Sequence, residues 1–419
     1  MNAVRRQDGE LWMEGVRLTE VAERFGSPCY VYSRAAIESA WRAFDDALAG
    51  TEHLICYAVK ANSNLAVLGI LARLGSGFDI VSGGELARVL AAGGSAERVI
   101  FSGVGKTEEE MRSALSAGIR CFNVESEPEL ERLDAVAGGL GRRAPVSLRV
   151  NPDVDARTHP YISTGLKGNK FGIAHDRALA AYDLAASLPN LDVTGIDCHI
   201  GSQILDMAPL EEALERVLEL AGALAVRGIP IRHVDLGGGL GIRYREEEEA
   251  LDIGRWCRAV AARIAGTGFS LVLEPGRAIV GNAGALLSRV EYLKLDKGKR
   301  FAIVDASMSE LIRPALYEAW HGIEPLATLD RPAADYDVVG PVCESADVLG
   351  TGRRLAIAPG DGIAILSAGA YGMVMSSNYN SRPRPAEVMV DGARSVQVRP
   401  RETVAALYAG ERTLDQAAT

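Results

Sequence analysis

Four short segments carry residue types that could do chemistry together. Lys60 lies at the end of the apolar run HLICYAVKAN, His199 lies in CHIGSQ, and three glycines end DLGGG. Glu274 and Arg277 follow in EPGR. Each segment ends or directly follows an apolar, strand-like run. Because a lysine ammonium is costly to bury without a partner, Lys60 at such a place indicates a chemical role.

These residue types suit one kind of ligand. A lysine amine can form a Schiff base with a carbonyl. The backbone amides of the glycine triplet (237–239) can cradle a phosphate dianion, and Ser202 could add a hydroxyl group. A carboxylate such as Glu274 can hold a pyridine nitrogen protonated, and a flat ring can stack on the His199 imidazole. Together these groups predict a site for pyridoxal 5′-phosphate and no metal site.

Each feature also has an ordinary interpretation when it is taken singly. A lysine at a strand end is usually a surface residue whose stem lies along apolar groups. A lone histidine is more often a hydrogen-bonded structural residue, and GGG or EPG can be a tight turn. The functional interpretation depends on all four segments falling at corresponding positions of one architecture.

The elements that must position these residues repeat one unit over the first two-thirds of the chain. Short β-rich runs alternate with helical patterns such as GGELARVLAAG (83–93) and TEEEMRSALSAG (107–118). Eight strands alternating with helices predict a closed parallel (β/α)8 barrel, whose strand ends gather around one mouth. The alternative, an open doubly wound sheet, does not explain why nearly every strand ends in polar residues or glycine. The predicted strands are ICYAVKA, FDIVS, RVIFSG, CFNVES, VSLRVN, GIDCHIG, HVDLGGG and LVLEPGR.

The pattern changes after Arg277. Segments such as DGIAILSAGAYG and AEVMVDGARSVQVRP predict strands joined by turns, and therefore a second, mostly antiparallel β-domain. GELWMEGVRL (9–18) predicts a strand pair that joins it. We expect an α/β protein with a barrel over 26–280 and a β-domain formed by 1–25 and 281–419.

Bulk composition excludes several classes of protein. The chain has 419 residues and a formal net charge of −10, with no Lys/Arg cluster of the kind that marks a nucleic-acid binder. The N-terminus lacks a signal-peptide core, and no window approaches the length of a membrane span. Six scattered cysteines without a C-x-x-C pair predict reduced thiols and a cytoplasmic location, with a disulfide framework as the alternative.

The motifs YAVKAN, HIGSQ, GGG, EPGR, CESAD and GAYG, in this order and spacing, resemble the fold-type III pyridoxal-phosphate decarboxylases of the alanine-racemase-like barrel group. Within that group, NPDVDARTHPYISTGLKGNKFGI (151–173), LIRPALYEAWH (311–321) and GPVCESADVL are similar to the diaminopimelate decarboxylase family. The resemblance covers nearly the whole chain. It implies decarboxylation of meso-2,6-diaminopimelate to L-lysine and CO2, the last step of lysine biosynthesis.

The resemblance also implies roles for the site residues. Lys60 carries the covalent link to the cofactor, His199 stacks on its ring, and Glu274 binds its pyridine nitrogen. The implied phosphate-binding set is Ser202, Gly238, Gly239, Gly276, Arg277 and Tyr371. The implied substrate-binding set is Arg277, Arg313, Tyr317, Glu344 and Tyr371.

Two further residues imply an assembly. By the same resemblance, Cys343 is the proton donor and Glu344 contacts the distal amine of the substrate. Both come from the partner subunit, which implies a homodimer with shared active sites.

Several alternatives stay open at this point. A related decarboxylase could act on ornithine, arginine or a carrier-tethered substrate, although the arginine pair and the loop at 157–172 count against simple diamine precursors. An amino-acid racemase would place a catalytic tyrosine where CESAD stands. A non-catalytic protein would be expected to lose Lys60 or Cys343, and a Schiff-base aldolase has no need for Glu274.

Overall fold

The computed structural model describes residues 3–155 and 170–417, so most of the loop predicted at 157–172 lies outside the described residues. The chain forms two compact units. The β unit comprises Met1–Ala36, Tyr244–Glu246 and Gly281–Thr419, and the barrel unit comprises Ile37–Arg243 and Glu247–Val280. No helix among the described residues is long and apolar enough to span a membrane.

The elements are numbered in chain order over the described residues. The strands are β1 Val4–Gln7, β2 Glu10–Met13, β3 Val16–Arg17, β4 Cys29–Ser33, β5 His53–Ala58, β6 Gly77–Ile80, β7 Val99–Phe101, β8 Cys121–Val124, β9 Ala144–Asn151, β10 Ile173–Ala174, β11 Leu191–Asp197, β12 His233–Asp235, β13 Ser270–Leu273, β14 Gly284–Asp296, β15 Lys299–Val304, β16 Ile323–Pro325, β17 Ala334–Val339, β18 Val348–Leu355, β19 Gly362–Ile365, β20 Ala386–Asp391 and β21 Arg394–Arg399. The α-helices are α1 Leu18–Phe25, α2 Arg34–Ala47, α3 Leu65–Arg73, α4 Gly83–Ala91, α5 Glu108–Ala117, α6 Glu127–Gly139, α7 Ala178–Ser187, α8 Ala208–Val226, α9 Ile253–Ile264, α10 Arg277–Val280, α11 Arg313–Tyr317, α12 Val404–Leu407 and α13 Leu414–Ala417.

Eight parallel strands close into a barrel. The order is β5–β6–β7–β8–β9–β11–β12–β13, and β13 pairs in parallel with β5 to complete the circle. The predicted (β/α)8 barrel is therefore confirmed, and the open sheet is excluded. Because all eight strands are parallel, their carboxyl ends gather at one mouth.

Local sequence signals explain where the barrel helices begin and end. Helix α5 starts at a capping box, in which Thr107 and Glu110 satisfy each other's backbone amides, and it ends at Gly118 in the left-handed conformation. Helix α4 is capped by the Ser82 hydroxyl, which accepts a hydrogen bond from the Glu85 amide. These helices confirm the patterns predicted at 83–93 and 107–118.

The β unit contains a second, mostly antiparallel sheet. Its main path is β18–β17–β15–β14–β4–β20–β21, with β19 paired to both β14 and β16. The N-terminal strands β1 to β3 form a small antiparallel sheet, and the Leu11 amide donates to the Leu326 carbonyl at 2.8 Å. Leu11 and Met13 share one apolar core with Leu287 and Val388. The N-terminus therefore joins the β unit, as the sequence predicts.

Strand β4 differs from the sequence expectation. Its segment, CYVYS, pairs antiparallel with β14 and parallel with β20. The predicted boundary at residue 26 placed this segment with the barrel, whereas the β unit extends to Ala36. An apolar run has no feature that tells which of two sheets it enters, because both sheets bury such a strand.

His233 gives the barrel unit a pH-dependent stability. Its ring is buried against Gly195, and Nε2 has no hydrogen-bond partner within the described residues. Burial, helped by Arg120 and Arg232, lowers its pKa from 6.5 to about 4. The unfolded chain therefore binds a proton that the folded barrel does not. The stabilisation is complete above pH 6.5 and is lost as pH falls towards about 4.

We expect His233→Asn to remove this dependence. Between about pH 7 and about pH 4.5, the free energy of unfolding of the variant should fall by about 2–3 kcal/mol less than that of the native protein. Urea unfolding at both pH values measures the difference, in which the packing defect cancels because it does not depend on pH. His233→Gln is a second variant of different shape. If both variants keep the native slope, His233 is not the titrating group.

Candidate active site

Lys60 lies at the barrel mouth beside a buried carboxylate. It stands in a short 3-10 turn, Val59–Ala61, immediately after β5. Its Nζ forms an ion pair with Asp79 on β6, whose side chain is fully buried. The ion pair offsets the free-energy cost of placing the Lys60 ammonium at the end of a buried strand, because the Asp79 carboxylate replaces part of its hydration. The Lys60 side chain is itself 39% exposed and can be reached from the mouth.

The predicted ring-stacking histidine is held by the predicted phosphate loop. The Gly238 amide donates to His199 Nδ1 at 3.2 Å, so Nδ1 carries no proton and the ring is neutral with its proton on Nε2. Burial, together with the positive charges of Arg149 and Lys60, lowers the His199 pKa well below its usual value. A neutral imidazole face is therefore what the site offers to a flat ring.

The glycines of this loop are required by close backbone contacts. A Cβ on Gly238 would lie 2.3 Å from the Glu274 carbonyl oxygen, and one on Gly239 would lie 2.6 Å from the Gly201 carbonyl oxygen. Gly239 also has a φ of +103°, which side chains rarely adopt. The loop thus brings bare backbone to the mouth, as a phosphate cradle requires.

Arg277 and Ser202 meet at the same mouth. Arg277 begins α10 and is 5% exposed, and its Nη2 donates to Ser202 Oγ at 3.0 Å. Gly276 precedes it, with space for a Cβ filled by Ala58 and Ala61 at 3.0 Å. Two residues predicted to hold phosphate are therefore in direct contact.

Glu274 follows β13 at the mouth and belongs to a buried acidic group. Asn123 Nδ2 donates to its Oε1 at 3.2 Å. Carboxylate oxygens of Glu274, Asp197 and Asp235 lie within 4.8 Å of one another, and all three residues are buried. Burial first, and then the neighbouring Asp235, raise the Glu274 pKa well above its ordinary value.

The predicted substrate residues Arg313 and Tyr317 lie together in the β unit. Both belong to α11, and the guanidinium lies 5.8 Å from the Tyr317 ring centroid. The Tyr244 ring lies 5.6 Å from the same guanidinium. Two aromatic rings therefore flank the arginine and restrict its orientation. Tyr371 belongs to the same unit and is half-buried, with a φ of +55°.

Cys343 and Glu344 are exposed on a separate loop of the β unit. The Cys343 amide donates to Asn380 Oδ1 at 2.9 Å. Asp347, 3% exposed, accepts hydrogen bonds from the amides of Met308 at 2.6 Å and Val342 at 2.8 Å. The loop is thus held at the Cys343 amide and at Asp347, while Cys343 itself is exposed.

We expect Asp347→Ala to destabilise the β unit by about 2–4 kcal/mol, because one buried and one partly buried amide would lose their acceptor. Thermal or urea unfolding measures the loss. The matched control is Asp335→Ala, which removes an exposed pair to Arg354 and should change stability little. Equal effects of the two variants would contradict the role given to Asp347.

Several buried polar residues of the site were missed from the sequence. They lie within or beside otherwise apolar strands, where a single ionisable or amide residue was the available signal. In the barrel unit they are Asp79, Asn123, Arg149, Asp197 and Asp235, and in the β unit Asp347. The half-buried Tyr244 and the exposed Asn380 of the β unit were also missed.

The residues present fit pyridoxal 5′-phosphate. Close backbone contacts at Gly238 and Gly239 leave a cradle without side chains, which suits a phosphate. Lys60 supplies an amine, His199 a neutral ring face, and Glu274 a buried carboxyl group for a ring nitrogen. This donor set matches the parts of that cofactor group by group.

Comparisons with known proteins agree with this chemistry. Residues 34–281 match the family model of the pyridoxal-dependent decarboxylase, pyridoxal binding domain. The diaminopimelate decarboxylase of Pseudomonas aeruginosa is 61% identical over 416 residues, covering 99% of this chain and 100% of the relative. That of Vibrio cholerae is 58% identical over 98% of this chain and 99% of the relative.

Solved structures give the same result. The crystal structure of Helicobacter pylori diaminopimelate decarboxylase complexed with L-lysine has a TM-score of 0.91 and 41% identity, covering 96% of this chain and 100% of that chain. These likenesses decide against the racemase, aldolase and non-catalytic alternatives. The chain belongs to the diaminopimelate decarboxylases, a family of pyridoxal-phosphate-dependent carboxy-lyases.

Proposed function

We propose that this chain decarboxylates meso-2,6-diaminopimelate to L-lysine and CO2, with the residues of the barrel mouth and of the β unit in the following roles. The observation that carries the proposal is that Lys60, His199, the glycine loop and Glu274 lie at the carboxyl ends of four strands of one barrel. In this proposal the barrel unit binds the cofactor and the β unit, which includes Cys29–Ser33 and not only the predicted 1–25 and 281–419, contributes substrate-binding residues.

Residues of the barrel, together with Tyr371 of the β unit, would hold the cofactor. Lys60 would hold it through its amine, and Gly238, Gly239, Gly276, Ser202, Arg277 and Tyr371 would hold its phosphate. The neutral His199 ring would support one face of the cofactor ring, with the Gly238 amide holding its Nδ1. When bound, pyridoxal 5′-phosphate supplies an electron sink for the pair left by the departing carboxylate. Glu274 would strengthen that sink, because its carboxyl group would keep the ring nitrogen protonated.

Substrate recognition needs charged groups for both ends of a long, doubly charged amino acid. Arg277 and Arg313 would bind carboxylate through planar, bidentate contacts, with Tyr317 and Tyr371 beside them. Glu344 of the partner subunit would contact the distal amine. Cys343 of the partner subunit would donate a proton from Sγ to the carbon that loses CO2.

This assignment makes the protein a homodimer with shared sites. The exposed thiol of Cys343, on a loop anchored at Asn380 and Asp347, supports a role towards another subunit. All six cysteines are free, which supports a cytoplasmic enzyme.

The test of the function is CO2 release from a panel of substrates. We expect release from meso-diaminopimelate, and little or none from ornithine, arginine, L,L-diaminopimelate or lysine. The assay uses the full chain loaded with pyridoxal 5′-phosphate. Faster release from ornithine or arginine than from meso-diaminopimelate would overturn the substrate assignment.

The role of Arg313 gives a separate prediction. We expect Arg313→Lys to lower kcat/KM by about 10–100-fold, mainly through KM, because an ammonium cannot replace a planar bidentate contact. The control is Arg353→Lys, an arginine of the same unit that stacks on Trp320 at 4.3 Å and has no assigned substrate contact. Similar losses in both variants would place the effect in folding and not in substrate binding.

A further inference from the structure

The barrel mouth holds more buried carboxyl groups than the proposed function uses. Glu274 has a role towards the ring nitrogen, whereas Asp235 and Asp197 have none, although oxygens of all three lie within 4.8 Å of one another. Asp235 ends β12 and is fully buried. Asp235 contacts both the acidic group and the glycine loop, because its Oδ1 also accepts a hydrogen bond from the Gly237 amide at 2.8 Å.

The cations nearby are already paired with other carboxylates. Lys60 pairs with Asp79, and Arg149 Nη1 lies 3.3 Å from Glu125 Oε1. Asp235 Oδ2 and Asp197 Oδ1 are buried and have no hydrogen-bond partner within the described residues. If all three carboxyl groups of Glu274, Asp235 and Asp197 were ionised, their negative charge would exceed that of the nearby cations. In the part of the chain that the structure describes, their acceptor atoms also outnumber the hydrogen-bond donors around them. Neighbouring carboxyl groups in such a place cannot all ionise, and a proton between two of them supplies the missing donor.

We propose that Asp235 is a positioning residue for Glu274, with which it shares one proton, so that Glu274 presents a protonated carboxyl group to the ring nitrogen of the cofactor. The inference rests on the proposed function. The step is a proton transfer only: the Glu274 O–H bond breaks, an N–H bond forms on the ring nitrogen, and no group is oxidised or reduced. The negative charge of Asp235 then favours the protonated ring nitrogen. Consistently, burial raises the Asp235 pKa to about 6.

Asp235 is a better partner for Glu274 than Asp197 is. The Asp235 charge is the largest electrostatic cause of the raised Glu274 pKa, ahead of Asp79 and Asp197, while Lys60 opposes it. Asp197 is in addition subject to the positive charge of Arg149. The sharing is therefore assigned to Asp235 and Glu274, with Asp197 as the internal comparison.

The first experiment reads the shared proton in the full-length, cofactor-free protein. Isotope-edited infrared spectra, with labelled aspartate and glutamate carboxyl groups, report protonated carboxyl groups near neutral pH. We expect Asp235→Asn and Glu274→Gln each to remove one protonated-carboxyl signal, because the first removes the negative charge that keeps Glu274 protonated and the second removes the carboxyl group that carries the proton. Asp235→Asn keeps an acceptor for the Gly237 amide, and a melting curve checks its fold. Loss in the Glu274 variant alone would overturn the sharing.

The second experiment measures the protonation of the cofactor ring nitrogen in the loaded enzyme. With 15N-labelled pyridoxal 5′-phosphate, we expect Asp235→Asn to shift the ring-nitrogen resonance towards the unprotonated form and to lower kcat about tenfold, the effect of one unit in the pKa of the nitrogen. Asp197→Asn should shift it less. Equal shifts in the two aspartate variants would overturn the pairing, as would a stoichiometric divalent cation in the loaded protein. If Glu274→Gln leaves the resonance unchanged, the proposed function fails instead.

Discussion

Lys60→Ala is expected to abolish decarboxylation, with a fall in kcat on the order of 10³–10⁶. The reason is that the amine at the end of β5 is proposed to hold the cofactor, and no other group at the mouth is expected to replace it. The purified native protein should be yellow and should bleach with borohydride, which traps the cofactor on the Lys60 peptide for mass spectrometry. The variant should show neither colour nor trapped cofactor.

The matched control keeps the charge and removes the reactivity. Lys60→Arg can still pair with Asp79, but a guanidinium does not form the link to an aldehyde. We expect this variant to fold like the native protein and to be as inactive as Lys60→Ala. A yellow, active Lys60→Arg variant, or borohydride trapping on another lysine, would contradict the assignment of Lys60.

Mixing two inactive variants, Lys60→Ala and Cys343→Ala, is expected to restore activity. If each site combines Lys60 of one subunit with Cys343 of the partner subunit, a mixed dimer has one site with both native residues and one site with neither. Random exchange in an equal mixture makes half of the dimers mixed, so activity should return to about a quarter of the native value. CO2 release after subunit exchange measures the recovery, and native mass spectrometry confirms that mixed dimers formed.

The control for this experiment is the double variant that lacks both residues. Mixed with either single variant, it cannot form a site with both native residues, so activity should stay at the level of the single variants. Confirmed mixed dimers without recovered activity would show that each subunit keeps its own complete site, and the shared-site assignment would fall.

The barrel could be predicted from the sequence because each strand leaves a local signal. Lys60, His199 and Glu274 were found because each ends or follows an apolar run, and the ends of parallel strands meet at one mouth. The pattern does not tell how far apart they lie. That distance depends on the strand registers around the barrel, which no local segment determines.

The buried partners could not be predicted for a different reason. Asp79 and Asp235 stand inside apolar strands, and a single polar residue there can face the barrel interior or pair with a neighbouring helix. Tyr244 comes from the chain that follows the glycine loop, yet it packs with Arg313, nearly seventy positions further along the chain. Only the folded chain brings such residues together.

Gly238 limits how this enzyme could be redesigned. Its Cα lies against the backbone of Glu274, and its amide holds His199. A larger residue at 238 would collide with the Glu274 backbone after β13 and would disturb the amide that holds the His199 ring after β11. If the loop binds phosphate as proposed, the phosphate end of the site could not be changed to fit a bulkier or differently charged cofactor without also changing the positions of Glu274 and His199. Redesign of the cofactor site would therefore have to begin with residues whose substitution leaves Glu274 and His199 in place.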